Sequence, residues 1–176
     1  ANSTDVGDLT SIRIQMTGAS YPTHGYVQGG YSTFQLDNIE KVSTSTDGNA
    51  TDVANLTEPY RFGGGTQSAT HGYTVGNIPA SNLIQKHQFS NDGDGTDVGD
   101  LLANNNRCNG TSASETDGYL AGGYQPTDPT GDWTDRIQKF PFATDANSTD
   151  VGNLIHIRAY NAGTNGTTHG YSAGGQ

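Results

Sequence analysis

The sequence predicts an all-β chain built from about four copies of one four-stranded antiparallel unit, on three observations. A short text, "ANSTDVGDLT" at residues 1–10, returns as "NATDVANLT" at 49–57, "GTDVGDLL" at 95–102 and "ANSTDVGNLI" at 146–155. The 176 residues include 25 glycines and only 31% hydrophobic residues, a composition that suits short strands and tight turns. No window carries a 3.6-residue apolar period long enough for a helix. Nine tyrosines and five phenylalanines recur at ordered spacings, which argues against a disordered chain.

The repeat is metric as well as textual. The Asp of "TDV" falls at Asp5, Asp52, Asp97 and Asp150, spacings of 47, 45 and 53 residues. A "THGY" text follows at 23–26, 70–73 and 168–171, with "TDGY" at 116–119, so His24, His71, Asp117 and His169 lie 19, 19, 20 and 19 residues after the Asp. Glycine pairs follow at Gly29–Gly30, Gly122–Gly123 and Gly174–Gly175; the second copy has Gly76–Asn77. An Ile-x-Lys strand, "NIEKVST", "LIQKHQF" and "RIQKFPF", places Ile39, Ile84 and Ile137 eight residues before Asp47, Asp92 and Asp145.

Each period holds four strand-like pieces. The first is "TDVGDLT". The second is "SIRIQMT", expected to place Ile12, Ile14 and Met16 on one face and Arg13 and Gln15 on the other. The third is "HGYVQGG" and the fourth "NIEKVST". Gly and Asn/Asp turns divide them. The order reads as three complete units and a fourth without its last strand, or fifteen strands, over repeats of 1–47, 48–92, 93–145 and 146–176. Such a unit cannot bury both faces alone, so neighbours must stack.

"THGYVQGGYS" followed by "NIEKVST" resembles a kelch-type blade: a strand ending in a Gly pair, then a strand, a turn and a strand leading to an Arg. The resemblance implies kelch-like β-propeller blades, and the period of 45–53 residues lies in the range of such repeats. Arg13, Arg61, Arg107 and Arg158 stand eight to ten residues after the Asp, where a kelch pattern would place them. The chain departs from that pattern in lacking the usual Tyr and Trp after the Gly pair. "TDANSTDVGNL", "THGYSAGG" and "IQKFPF" further resemble a divergent repeat of structural fibre and decoration proteins of marine bacteriophages. That likeness implies a virion or extracellular protein, and the missing fourth strand points to a set of blades completed by another chain, as a homo-oligomer or as part of a larger assembly.

Charge and motifs narrow the function. The net charge of −10 argues against a nucleic-acid partner, which needs a basic stripe. No run approaches the ~20 apolar residues of a membrane span. No signal-peptide pattern opens the chain, and its start reads as mid-protein text, so a processed chain or a segment is expected. Cys108 is the only cysteine and is read as an apolar strand position, so neither a disulfide framework nor a thiolate zinc site is expected. "NDGDGTD" at 91–97 looks like a calcium loop, but its counterparts "TDGNATD" and "TDANSTD" read as hairpin turns. "FGGGT" at 62–66 lacks the Lys of a phosphate loop and reads as a glycine-rich turn. No hydrolase, zincin or nucleotide-binding motif is present. Neither a cofactor nor a metal is therefore expected.

Residues that recur in every copy are expected to be structural. The Asp and Arg columns should make ion pairs or turn contacts within a unit, and the His column should hydrogen-bond locally. Six N-x-S/T sequons, at Asn2, Asn49, Asn55, Asn109, Asn147 and Asn165, read as by-products of the repeat. Recognition belongs where the copies differ, in the connections from the third piece to the fourth: "YSTFQLD", "IPAS" and "YQPTDPTGDWTD". These loops should emerge on one face and carry Tyr31, Phe34, Tyr124 and Trp133, aromatics suited to stacking on sugars. The expected function is a non-enzymatic virion structural and adhesion module, presenting its loops to a host surface glycan or a neighbouring virion protein. A secreted or cell-surface lectin-like carbohydrate-binding propeller is the alternative.

Overall fold

A computed structural model describes residues 2–108, 110–126 and 133–176. The described residues form fourteen strands and no helix. The first sheet contains β1 (Thr17–Tyr21), β2 (His24–Tyr31), β3 (Gln35–Ser43) and β4 (Thr51–Tyr60). The second contains β5 (Gly64–Gln67), β6 (His71–Val75), β7 (Ser81–Gln88) and β8 (Thr96–Asn105). The third contains β9 (Thr111–Ala113), β10 (Asp117–Ala121), β11 (Arg136–Pro141) and β12 (Thr149–Asn153). β13 (Ala162–Asn165) and β14 (Gly170–Ala173) pair as a two-stranded sheet. Every sheet is an antiparallel meander in sequence order. The sheets follow one another without closing into a ring or barrel among the described residues.

The sheets are out of phase with the sequence repeat. "TDVANLTEPY" is not the first strand of a new unit but the last strand of the sheet before it, paired with β3 (Asp52 opposite Glu40). The segment expected as the second strand, 11–16, is not a strand: it makes one isolated bridge, Ile14 to Tyr31, and β1 begins only at Thr17. Ile12, Ile14 and Met16 are 94%, 56% and 43% exposed and do not form the apolar face of a strand. Residues 11–16 lead into the first sheet, as their counterparts 58–63 lead from the first sheet into the second, and the alternation there mimics a strand without one.

Backbone bonds repeat from sheet to sheet. Ala50 N–H, Gly95 N–H and Ser148 N–H, each two residues before a repeat Asp, donate to the carbonyls of Asp8, Asn55 and Asp100, at 2.8, 2.7 and 2.8 Å. Buried Glu40, Gln85 and Gln138, on the third strand of each sheet, accept from the backbone N–H of Thr10, Thr57 and Leu102 at 3.0, 2.7 and 2.8 Å. These bonds satisfy amides that would otherwise be orphaned at a sheet junction. The Ala50, Gly95 and Ser148 bonds also lock each repeat to the one before it.

Aromatic side chains fill the gaps between sheets. Tyr26, Ile39, Leu56, Tyr60 and Phe89 form one core cluster, joined by Ala19 and Ala54. Tyr73, Val75, Ile84, Leu101, Leu120 and Phe140 form the second, with Cys108 inside it. Each fully buried Leu, Ile or Phe contributes about 1.5–3 kcal/mol. "FGGGT" is not a turn. Gly64 and Gly65 open β5, and a Cβ on Gly65 would meet the Gly18 carbonyl oxygen at 2.7 Å. The glycines let β5 lie against β1 on one side and β9 on the other.

Candidate functional site

The columns that recur are occupied internally. Asp5, Asp97 and Asp150 accept the backbone N–H two residues on, from Gly7, Gly99 and Gly152, at 3.2, 3.1 and 3.1 Å. They are turn contacts. His24, His71 and His169 each hold Nδ1 2.8 Å from the hydroxyl of the preceding Thr. In the third copy the Thr116 hydroxyl donates to Asp117 Oδ2 at 2.7 Å, so a carboxylate does the same job. Asp92 of the calcium-like loop is taken by Lys41 at 2.9 Å and by the Tyr26 hydroxyl at 3.2 Å. Among the described residues, no group of three or more His, Cys, Asp or Glu side chains converges as a metal site would. Cys108 is fully buried in the core, and burial pushes its thiol up to about 12.

The four arginines are not equivalent. Eight residues after the repeat Asp stand Arg13, Tyr60, Asn105 and Arg158. Arg13 Nη1, Asn105 Nδ2 and Arg158 Nη1 donate to the carbonyl of the first glycine of the pair, Gly29, Gly122 and Gly174, at 3.0, 3.3 and 3.2 Å. The Tyr60 hydroxyl donates to Val75 O, beside Gly76, at 3.2 Å. Those glycines have φ of +58°, +77° and +68°, with +67° at Gly76, which explains the column. Arg13 also forms a buried ion pair with Glu40 and not, as expected, with Asp5. Arg61 and Arg107 stand one and two residues further along, and neither joins this pattern.

Ten residues after each Asp lies a second column: Gln15, Phe62, Arg107 and Tyr160. All four are non-glycine residues in the left-handed region, with φ of +62°, +58°, +55° and +58°. Bulky residues adopt such angles rarely and at a cost of about 1–3 kcal/mol each. A ladder of backbone bonds holds them in line: Phe62 N–H to Gln15 O at 3.1 Å, Arg107 N–H to Phe62 O at 2.6 Å, and Tyr160 N–H to Arg107 O at 3.0 Å. Neighbours are therefore roughly one strand spacing apart, ~4.8 Å.

Around this column the aromatic and cationic side chains gather. The Arg61 guanidinium lies over the Tyr31 ring, 4.7 Å from its centroid. Arg107 lies between Tyr124 and Tyr160, at 5.0 and 5.6 Å. Phe62 meets Tyr160 edge-on at 6.1 Å. Tyr124 bridges both Asn106 and Trp133 through its backbone.

Of the four residues singled out from the sequence, Tyr124 and Trp133 are neighbours at the third sheet. Tyr31 and Phe34 belong to the first sheet, with the second between the two pairs. Phe34 is 65% exposed, whereas Tyr31, Tyr124 and Trp133 are half-buried. Part of the long connection, residues 127–132, lies outside the described residues, as does the sequon Asn109. The sequence reading missed Arg61, Phe62, Arg107 and Tyr160. The signal was there: Arg61 and Arg107 are the arginines whose offsets from the Asp do not match the others.

A cavity of about 380 Å³ lies elsewhere, between the third sheet and the β13–β14 pair, walled by Tyr119, Ile137, Leu154, His169 and Tyr171. The corresponding gaps between complete sheets are filled by Phe89 and by Phe140 and Phe142. It is a packing gap beside a two-stranded sheet and holds none of Gln15, Phe62, Arg107 and Tyr160.

No protein-family model matches the chain, and no curated protein is similar enough to count as a relative.

Proposed function

We propose that the chain is a non-enzymatic recognition module of a virion or other extracellular assembly, its sheets acting as kelch-like propeller blades, and that it binds a surface glycan. The observation that carries this reading is the row Tyr31, Arg61, Phe62, Arg107, Tyr160, Tyr124, where flat rings and forked cations lie at the corner beside the variable connections. Aromatic faces stack on sugar rings, and polar groups beside them fix orientation. The recurring residues support the reading by exclusion, since they are consumed in holding the repeat together.

The test is binding of the purified chain to host-cell polysaccharide and a glycan panel, with Trp133→Ala and Phe62→Ala beside the wild type. Saturable binding weakened in both variants supports a recognition face at this corner. A folded chain that binds no glycan leaves an architectural subunit, contacting a neighbouring virion protein, as the better account.

A further inference from the structure

We propose that Arg61 and Arg107 form an anion-reading subsite, and that the glycan recognised is an acidic polysaccharide whose sugars carry carboxylates. This rests on the glycan-binding reading above and specifies its ligand.

The chain has eight Lys and Arg against eighteen Asp and Glu, so carboxylate partners are abundant. Five of the eight cations take one: Arg13 with Glu40, Lys41 with Asp92, Lys86 with Asp145, Arg136 with Asp150 and Lys139 with Asp117. Arg158 donates to the Gly174 carbonyl. Arg61 and Arg107 have no carboxylate and no side-chain hydrogen bond among the described residues, and the Nε of each is shielded from solvent without a partner. In a chain of net charge −10, two cations with neither an acid nor a side-chain hydrogen bond among the described residues are the exception.

Both also break the repeat. At the Arg61 position the other copies carry Ile14, Asn106 and Ala159; at the Arg107 position they carry Gln15, Phe62 and Tyr160. The fold does not need an arginine at either place. Their backbones run close together, because Arg107 N–H bonds the carbonyl of Phe62, the residue after Arg61, at 2.6 Å.

Each guanidinium already lies over a tyrosine ring before any ligand arrives. A planar fork held in place suits bidentate contact with a carboxylate and loses less entropy on binding. Phe62 and the 39%-exposed Tyr160 supply the ring faces for the sugar. The negative field of the rest of the chain repels polyanions at long range, so any polyanion that binds must do so through local contacts.

Wild type, Arg61→Gln, Arg107→Gln and Arg107→Lys would be titrated with polygalacturonate, neutral dextran, dextran sulfate and polyglutamate. Circular dichroism and the melting midpoint would establish that each variant folds. The expected result is saturable binding of polygalacturonate, weakened roughly tenfold or more in each Gln variant, since a charge-assisted hydrogen bond contributes about 1.5–3 kcal/mol. Arg107→Lys retains charge but loses the fork and falls between. In the wild type, polygalacturonate should shield Arg61 and Arg107 from phenylglyoxal, read by peptide mass spectrometry, a result that needs no variant to fold.

Dextran sulfate or polyglutamate bound as tightly as polygalacturonate would overturn the proposal, because the site would then read charge or an acidic peptide. Binding of neutral dextran alone, lost in Trp133→Ala, would overturn it while leaving glycan recognition standing. No polysaccharide bound by the folded chain would sink both.

Discussion

Tyr26 of the first sheet and Phe89, just past the end of the third strand of the second sheet, stack across the gap between the two sheets, centroids 4.8 Å apart and planes 26° from parallel. The same contact recurs one repeat on, where Tyr73 stacks on Phe142 at 4.8 Å and 29°. Phe89→Ala should cost about 3–5 kcal/mol of stability, the usual range for removing a buried ring. Urea unfolding would show it as a lower midpoint at unchanged slope. A loss below 1 kcal/mol would mean that the sheets hold together without the stack.

His87 sits in the same gap, 2% exposed, with Gln28 Nε2 2.9 Å from its Nδ1 and the rings of Tyr26 and Phe89 around it. Burial lowers its pKa to about 4, with a smaller push from His71 and an opposing pull from Asp92. The ordinary value is ~6.5, so the unfolded chain takes up the proton first. Stability contributed by the neutral imidazole is therefore complete above pH ~6.5, declines as the pH falls to about 4 and then levels off. The loss is on the order of 3 kcal/mol at 1.36 kcal/mol per pKa unit. Unfolding free energies of wild type and His87→Gln between pH 7 and 4 should diverge by this slope; parallel curves would refute it.

Arg13 and Glu40 are both fully buried at the side chain. Glu40→Ala should cost about 3–5 kcal/mol, because it strands a buried guanidinium and the Thr10 amide. The third repeat carries Asn105 and Gln138 at the two equivalent positions and needs no charge there. The double variant Arg13→Asn/Glu40→Gln should accordingly lie closer to wild type than Arg13→Asn or Glu40→Gln alone, measured as a double-mutant cycle. Additive losses would show that the ion pair is not replaceable by its neutral counterpart.

Gly65→Ala should destabilise by about 1–3 kcal/mol, since its Cβ would meet backbone of β1 and force the first two sheets apart. Gly48→Ala is the informative comparison. It has open space around it but φ of +157°, so it should show only the smaller cost of backbone strain. Equal melting midpoints for the two variants would contradict close stacking at Gly65.

Much of the frame was legible in the sequence because it rests on local chemistry. The glycine pair recurs at the end of a strand, and φ is positive at Gly29, Gly76, Gly122 and Gly174. The Thr-His text announced a local hydrogen bond, and Thr116–Asp117 shows the same bond with a different acceptor. The phase of the sheets was not legible, because Ile12, Ile14 and Met16 alternate as a strand would. The counterparts Pro59, Arg61 and Gly63, or Asn104, Asn106 and Cys108, do not alternate, and they show that the segment is a corner. "FGGGT" misled for the opposite reason: glycines that permit close approach of strands look the same as glycines that permit a turn. In the candidate site, Tyr124 and Trp133 stand out because their loop varies, whereas Arg61 and Arg107 look like members of the Arg13 and Arg158 column although they stand nine and ten residues after the Asp and not eight.

The ladder through Gln15, Phe62, Arg107 and Tyr160 ties the corners together by backbone alone, so the fold asks nothing of the side chains it displays. An amide, two aromatic rings and a guanidinium already occupy the same backbone geometry. Such a column can diversify one position at a time while the scaffold stays constant. A lineage carrying this repeat can rewrite four letters without disturbing the ladder, and can extend the ladder by adding another copy.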